Sequence, residues 1–283
     1  MCRRSRFVML GFFLVICLSL TGVVWADDDD DDDDDYWGGR IPESKTVRVY
    51  CGSWWSGSIN KALETPAEEL AIEIHGMCTE DVVISRDNVT LLGADPESDG
   101  IQSEVEGKGA ALTVIGSRFV TVENLTLNGG FKLPSASSAV LSNCLTTGQT
   151  LVANFSNLIL KQSTLSNRLY VVDHSQAKVL QSTVGNFSAW NKSSILLEET
   201  TQVDKVRQSF GNDSYLRAQF DTHLSGELRF YGFSKGILSA DSDIDIINGS
   251  NLKCGTGGDF FCSEYGQGGD SNCFSCPEEG PNP

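Results

Sequence analysis

KQSTLSN at residues 161–167 returns nineteen positions later as LQSTVGN at 180–186. Two such intervals before the first copy stands ENLTLNG at 123–129, and DNVTLLG at 87–93 shares its x-N-[VL]-T-L-x-G pattern. A period near twenty residues, with several short apolar runs in each unit, is the mark of a solenoid, in which every repeat buries its apolar face on its neighbours. The runs themselves read as strands. TVRVY (46–50), LAIEI (70–74), FVTVENLTLNGG (119–130), LYVV (169–172) and SILLEE (194–199) are β-branched or apolar and are bounded by Asn, Ser, Thr and Gly. No proline occurs between Ser135 and Cys276, as consecutively paired strands require. A β-sandwich would need hairpin turns, yet Asn-Gly occurs only at Asn128-Gly129 and Asn248-Gly249. The L-x-x-L-x-L pattern of leucine-rich repeats is missing. Parallel stacking is therefore expected, with apolar ladders inside and Asn or Ser/Thr ladders at the turns, where Asn88 and Asn124 have a structural place. One helix is expected from Ser58, an N-cap, to about Glu64 and as far as Leu70 at most, covering the open first coil.

The ends of the chain differ in texture. Residues 1–26 have the form of a signal peptide: Arg3, Arg4 and Arg6, an apolar stretch from Phe7 to Leu20, and a small residue at Ala26. No second apolar stretch of membrane length follows, so no membrane insertion is expected after cleavage. Nine aspartates, Asp27 to Asp35, open an acidic linker over 27–45 that reads as a solvated spacer. A Ca²⁺ site needs alternating ligands and a fixed turn, which a uniform run does not supply, so no cofactor is expected. Without the signal and this run, 18 basic residues face 29 acidic ones, a net −11. Such a balance excludes a nucleic-acid partner, because phosphate recognition needs a basic footprint. The solenoid is expected over 46–253 and a Cys- and Gly-rich tail over 254–283.

The segment from Cys51 to Gly93 is built as C-x5-G-S-I-x-x-A-L followed by I-x-I-x-G-x-C-T-E-D-V-x-I-x-R-D-N-V-T-L-x-G. It resembles the N-terminal part of exported bacterial right-handed parallel β-helix proteins of the pectate-lyase-like fold, and the likeness extends more loosely over 46–251. The resemblance implies an all-β right-handed parallel β-helix with an N-terminal capping helix, and a partner that is a polysaccharide or cell-surface glycan. Cys51 and Cys78 flank the cap within the family-like segment and are expected to pair. Cys144 is expected to face inward as a small apolar residue. In the tail, Cys254, Cys262, Cys273 and Cys276 fit two disulfides in an exported chain better than a zinc site, although Cys273-x-x-Cys276 has a zinc-knuckle spacing.

The hydrolase motifs N-T-D and G-H-G and the epimerase motif D-P-H-D of β-helix enzymes are absent. The surviving catalytic cluster is Asp173 and His174 with Lys192, nineteen residues after Asp173 and so on a neighbouring coil, joined by Arg207 and flanked by Arg168 and Trp190. These are read first as solvent-facing turn residues, because a net −11 body lacks the positive field a uronate groove wants. Trp54, Trp55 and Trp190 are the candidate glycan-stacking rings, although Trp37, Trp54 and Trp55 cluster near the N-terminus and read first as packing on the cap. Asp241, Asp243 and Asp245 read as outward acids on a strand, and His75 and His223 as structural or solvated. The N-x-[ST] triplets follow from composition and carry no glycosylation assignment. The expected function is non-catalytic glycan binding at the cell envelope by a secreted or periplasmic protein. A polysaccharide lyase, epimerase or hydrolase is the first alternative and a structural spacer or adhesin the second.

Overall fold

A strand whose neighbours in sequence lie nineteen residues away has no hairpin partner, and it bonds instead to the same position one coil on. The computed structural model describes residues 41–52, 57–105, 109–203, 208–220, 222–224, 228–230, 234–239, 253–254 and 259–263. All strand pairings among them are parallel. The backbone winds as a three-faced parallel β-helix, in the right-handed sense that parallel crossovers adopt.

Face 1 is an eleven-stranded sheet. Its strands are Ser44–Tyr50, Glu69–His75, Val89–Gly93, Val120–Glu123, Ser138–Ser142, Asn157–Lys161, Gln176–Leu180, Ser194–Glu198, Tyr215–Gln219, Lys235–Ser239 and Asp259–Ser263. The repeat seen in the sequence is the register itself: Ser138 pairs with Asn157 and Asn157 with Gln176. The interval then shortens to Ser194 and lengthens to Tyr215. Face 2 carries short strands such as Gly100–Gln102, Thr126–Asn128 and Leu145–Thr146, and face 3 carries Gly130–Ser135, Thr150–Val152 and Gln208–Gly211. Thr164–Val172 and Thr183–Trp190 run through both faces, which merges them into one fourteen-stranded sheet. Parallel pairing continues past residue 253, because Lys253–Cys254 pairs on face 3 and Asp259–Ser263 on face 1.

Alternation sends every second side chain of face 1 inward. Val120, Ala139, Leu158, Ala177, Ile195 and Leu216 form one buried column, and Val122, Leu141, Leu160, Val179 and Leu197 the next. Each buried Val, Leu or Ile contributes roughly 1.5–3 kcal/mol. On face 3, Phe210 lies against Phe187 at 5.9 Å and stacks on Phe230 at 5.0 Å.

The expected hydroxyl ladders are present at both ends of face 1. Ser117, Ser137, Ser156, Ser175, Ser193, Ser214 and Ser234 are all buried where the chain enters this face. Ser137 N donates to Ser156 Oγ and Ser156 N to Ser175 Oγ, each at 3.2 Å. Where the chain leaves it, Cys144 precedes Ser163, Ser182, Thr200 and Thr222, all buried. Cys144 N donates to Ser163 Oγ at 3.1 Å, and its own Sγ contacts Ser142 O at 3.3 Å. Cys144 thus faces inward as expected, in a place its neighbours fill with hydroxyls. Just before it, Asn124 and Asn143 take positive φ (54° and 52°), and Asn143 Nδ2 donates to Asn124 Oδ1 at 2.8 Å. Asn88 also takes positive φ, at 56°.

The cap helix is Ile59–Ala62, shorter than the sequence suggests. Pro66 follows it closely, and from Glu69 the apolar spacing changes to the period of two of a strand, so Leu70 is a strand residue. Ser58 is the N-cap and accepts from Lys61 N. The Glu80 carboxylate accepts from Ile59 N at 2.7 Å, Asn60 N at 3.3 Å and Ser58 Oγ at 2.9 Å, which places negative charge at the helix N-terminus. The Arg86 guanidinium donates to the carbonyls of Leu63, Thr65 and Ala67 beyond it. A disulfide joins Cys51 and Cys78, whose Cα atoms are 5.0 Å apart.

Candidate functional site

The corner between face 3 and face 1 is made of paired left-handed residues. Asn154-Phe155, Asp173-His174, Asn191-Lys192 and Asn212-Asp213 all have φ between 53° and 63°. Left-handed backbone is costly for most side chains, and Asn and Asp lower the cost by bonding locally. Here they also bond from coil to coil. Asn212 Nδ2 donates to Asn191 Oδ1, and Asn191 Nδ2 to Asp173 Oδ1, each at 2.8 Å. Asp173 therefore ends a corner ladder.

The second residue of each pair points to solvent. Phe155 is 70% exposed, His174 stacks on it with ring centroids 5.0 Å apart, and Lys192 follows one coil later. The sequence-predicted trio Asp173, His174 and Lys192 is thus brought to one corner on adjacent coils, but this coil has eighteen residues, so Lys192 corresponds to His174 and Asn191 to Asp173. Arg168 does not join them. It lies at the far end of the face 3 strand, where Nε donates to Asn186 Oδ1 at 2.6 Å and the guanidinium sits 5.1 Å from the centroid of the Tyr170 ring. Trp190 is half-buried, and its ring lies over Gly211 of the next coil, where any Cβ would collide with it. Trp37, Trp54, Trp55, Arg207, Asp241, Asp243, Asp245, Cys273 and Cys276 fall outside the described residues. The backbones of Cys254 and Cys262 belong to the rungs on faces 3 and 1 given above. His75 stacks on Tyr50 at 4.7 Å. His223 is held by backbone bonds to Thr200 and Gln202.

Beside this corner lies a surface that the sequence reading missed. On the outer side of face 1, Asn157, Gln176, Ser194 and Tyr215 form one column, and Ile159, Lys178, Leu196 and Arg217 the next. Together they line a shallow hollow of about 340 Å³. Lys161 and Lys235 stand exposed on the same face. Against these four cations stands Glu198, which meets Lys178 Nζ at 3.4 Å and accepts from Gln219 Nε2 at 2.7 Å. Of the other acids in the outer columns of the face, Glu69, Glu73 and Glu123 lie toward its N-terminal end, and Asp259 follows Lys235 in the strand register. On this half of face 1 the named cations thus outnumber the acids, although the body as a whole is net acidic. Lys178 and Arg217 are two rungs apart, about 9.5 Å at the usual strand spacing. At roughly one Debye length, both act on an anion placed between them.

Asp173, at the corner before Gln176, is already engaged by Asn191, and Glu198, at the end of the Ser194 strand, by Lys178 and Gln219. The hollow offers a ring, two cations, amides and a hydroxyl, a set suited to holding a sugar chain. The column could have been found by counting from the repeated serines that begin each face 1 strand. Simple addition of nineteen fails because the interval changes after Gln176.

The fold defines the chain as a parallel β-helix protein. No protein-family model matches it, and no curated protein does. Among solved structures it is similar to a pectin methylesterase from carrot, with 12% identity over 82% of this chain and 90% of that one, at a TM-score of 0.28. The fold assignment stands on the strand pairing itself.

Proposed function

We propose that this chain is an exported β-helix protein that binds an acidic polysaccharide along the C-terminal half of face 1 without cleaving it. One observation carries the reading: Lys178 and Arg217 line one hollow with Tyr215, Asn157 and Gln176, and Lys161 and Lys235 are exposed on the same face of a net-acidic protein. Uronate carboxylates supply the matching charge, Tyr215 a stacking surface, and Asn157 and Gln176 hydrogen bonds to hydroxyls. The corner residues His174 and Lys192 stand two residues before Gln176 and Ser194 in the chain. The Cys51–Cys78 disulfide fits an oxidising compartment. Among the described residues no helix is long and apolar enough to cross a membrane.

Calorimetric titration with oligogalacturonides tests this. Lys178→Ala with Arg217→Ala is expected to weaken binding by at least tenfold and to flatten its dependence on salt. Reducing-end and unsaturated-product assays are expected to stay silent. Unchanged affinity in the double variant, or release of product by the wild-type protein, overturns the reading.

A further inference from the structure

The three corners of the helix treat their amide side chains differently. At the two corners that flank face 1 most amides are consumed within the protein: Asn143 bonds Asn124, Gln181 bonds Glu199, Asn154 bonds Pro134 O, and Asn212 and Asn191 extend to Asp173, with exposed Gln162 an exception. At the corner between faces 2 and 3 Asn186 accepts from Arg168 Nε, but on the coils before it the pattern differs. Asn128 sits directly over Gln102 in the strand register, yet neither side chain makes a hydrogen bond to a described residue, and Gln149 on the next coil makes none either. Asn167, one coil further, uses Oδ1 to accept its neighbour's N–H at 2.8 Å and keeps its Nδ2 donors.

These side chains converge on one cleft of about 740 Å³. Bare backbone contributes to its wall: a Cβ on Gly148 would run into the backbone of Gly129 and Gly130, so the coils close tightly here only because glycine is present. Thr147 Oγ1 accepts from Gly129 N at 3.2 Å and holds the rim. Lys132 is the one charged residue among the described lining, and no carboxylate is among it.

We propose that this cleft is a second carbohydrate site, distinct from face 1, that takes a neutral oligosaccharide. The chemistry selects that class. An amide donates and accepts side by side, which matches vicinal hydroxyls. Among the described lining a polyanion would find one cation and a metal ion no carboxylate. The cleft crosses four coils, roughly 14 Å at the usual strand spacing, and its volume lies in the range of small-molecule sites. Gln102, Asn128, Gln149 and the Nδ2 of Asn167 offer hydrogen bonds that ordering a sugar would add to the protein. The inference does not rest on the face 1 reading, since the two sites share no residue.

The test uses the full-length protein and calorimetric titration with cellohexaose, mannohexaose, xylohexaose and β-1,4-galactohexaose. At least one is expected to bind. Asn128→Ala with Gln149→Ala is expected to weaken that binding by about tenfold or more, given ordinary hydrogen-bond strengths, while the melting temperature stays unchanged. Lys178→Ala with Arg217→Ala is expected to leave neutral binding intact, which separates failure of this site from failure of face 1. Absence of binding to all four sugars at millimolar concentration, wild-type affinity in the amide variant, or a melting temperature lowered by several degrees in that variant overturns the proposal.

Discussion

Replacing Cys51 and Cys78 together by alanine is expected to loosen one end of the molecule and leave the rest as it was. The disulfide closes a loop of 27 residues that contains the cap helix. In the loop-entropy relation a loop of that length stabilises by about 3.5 kcal/mol at 25 °C. How the loss is felt depends on the architecture. A globular domain of this size would lose roughly 7–14 °C in melting temperature. In a solenoid each coil touches only its neighbours, so the cap can open while the other coils stay paired. Amide exchange in Ser44–Tyr50 and Glu69–His75 is then expected to quicken by up to about 300-fold, at roughly 1.4 kcal/mol per decade. Exchange in Ser138–Ser142 through Ser194–Glu198 is expected to stay within a factor of three. Substituting both cysteines avoids leaving a lone thiol, and working with oxidised protein avoids disturbing the tail cysteines as a reductant would. Equal acceleration in all coils would refute the nearest-neighbour account. No acceleration in the first two strands would refute the claim that the bridge holds the cap.

Two further outcomes follow from buried titratable groups. Burial disfavours the Asp99 carboxylate, but bonds from the N–H groups of Gly76, Asp95 and Ala94 and from the Ser98 hydroxyl outweigh it and hold its pKa below the ordinary aspartate value. The depressed value means that Asp99 stabilises the fold at neutral pH and that this contribution is lost as pH falls from about 4 through the lower folded pKa. Asp99→Asn should therefore be less stable than wild type at pH 6 and flatter in its urea midpoint between pH 4 and 2, and parallel profiles would refute the assignment. Cys144 is pushed up to about 11, chiefly by burial. Its thiol should resist disulfide-exchange reagents at pH 8 until the coil unfolds, and Cys144→Ser should change stability by less than about 1 kcal/mol because Ser163 shows how a hydroxyl fits that ladder. Rapid labelling of the native protein at Cys144 would contradict both statements.

How far the site was legible can be followed along single residues. A nineteen-residue offset places Lys192 one coil from Asp173, but the coil between them has eighteen residues, so Lys192 falls over His174 and Asn191 over Asp173. That Asp173 ends an asparagine ladder was not legible, since Asn191 and Asn212 are separated by a longer interval. Lys178 and Arg217 were missed for the same reason: between them one coil is shorter than the repeat and the next is longer. Trp190 was read as a stacking platform, and only the close approach of Gly211 shows its ring covering the neighbouring coil.

By itself the sequence determined that the chain coils, that apolar and hydroxyl residues stack in ladders, and where the cap begins. These follow from short-range periodicity, and parallel stacking reproduces each local pattern on the next rung. Only the tertiary structure decided which outward residues share a column and on which coils a corner leaves amides free. Column membership depends on the summed lengths of intervening turns, so one residue gained or lost at a corner moves a charge to the opposite side of a strand.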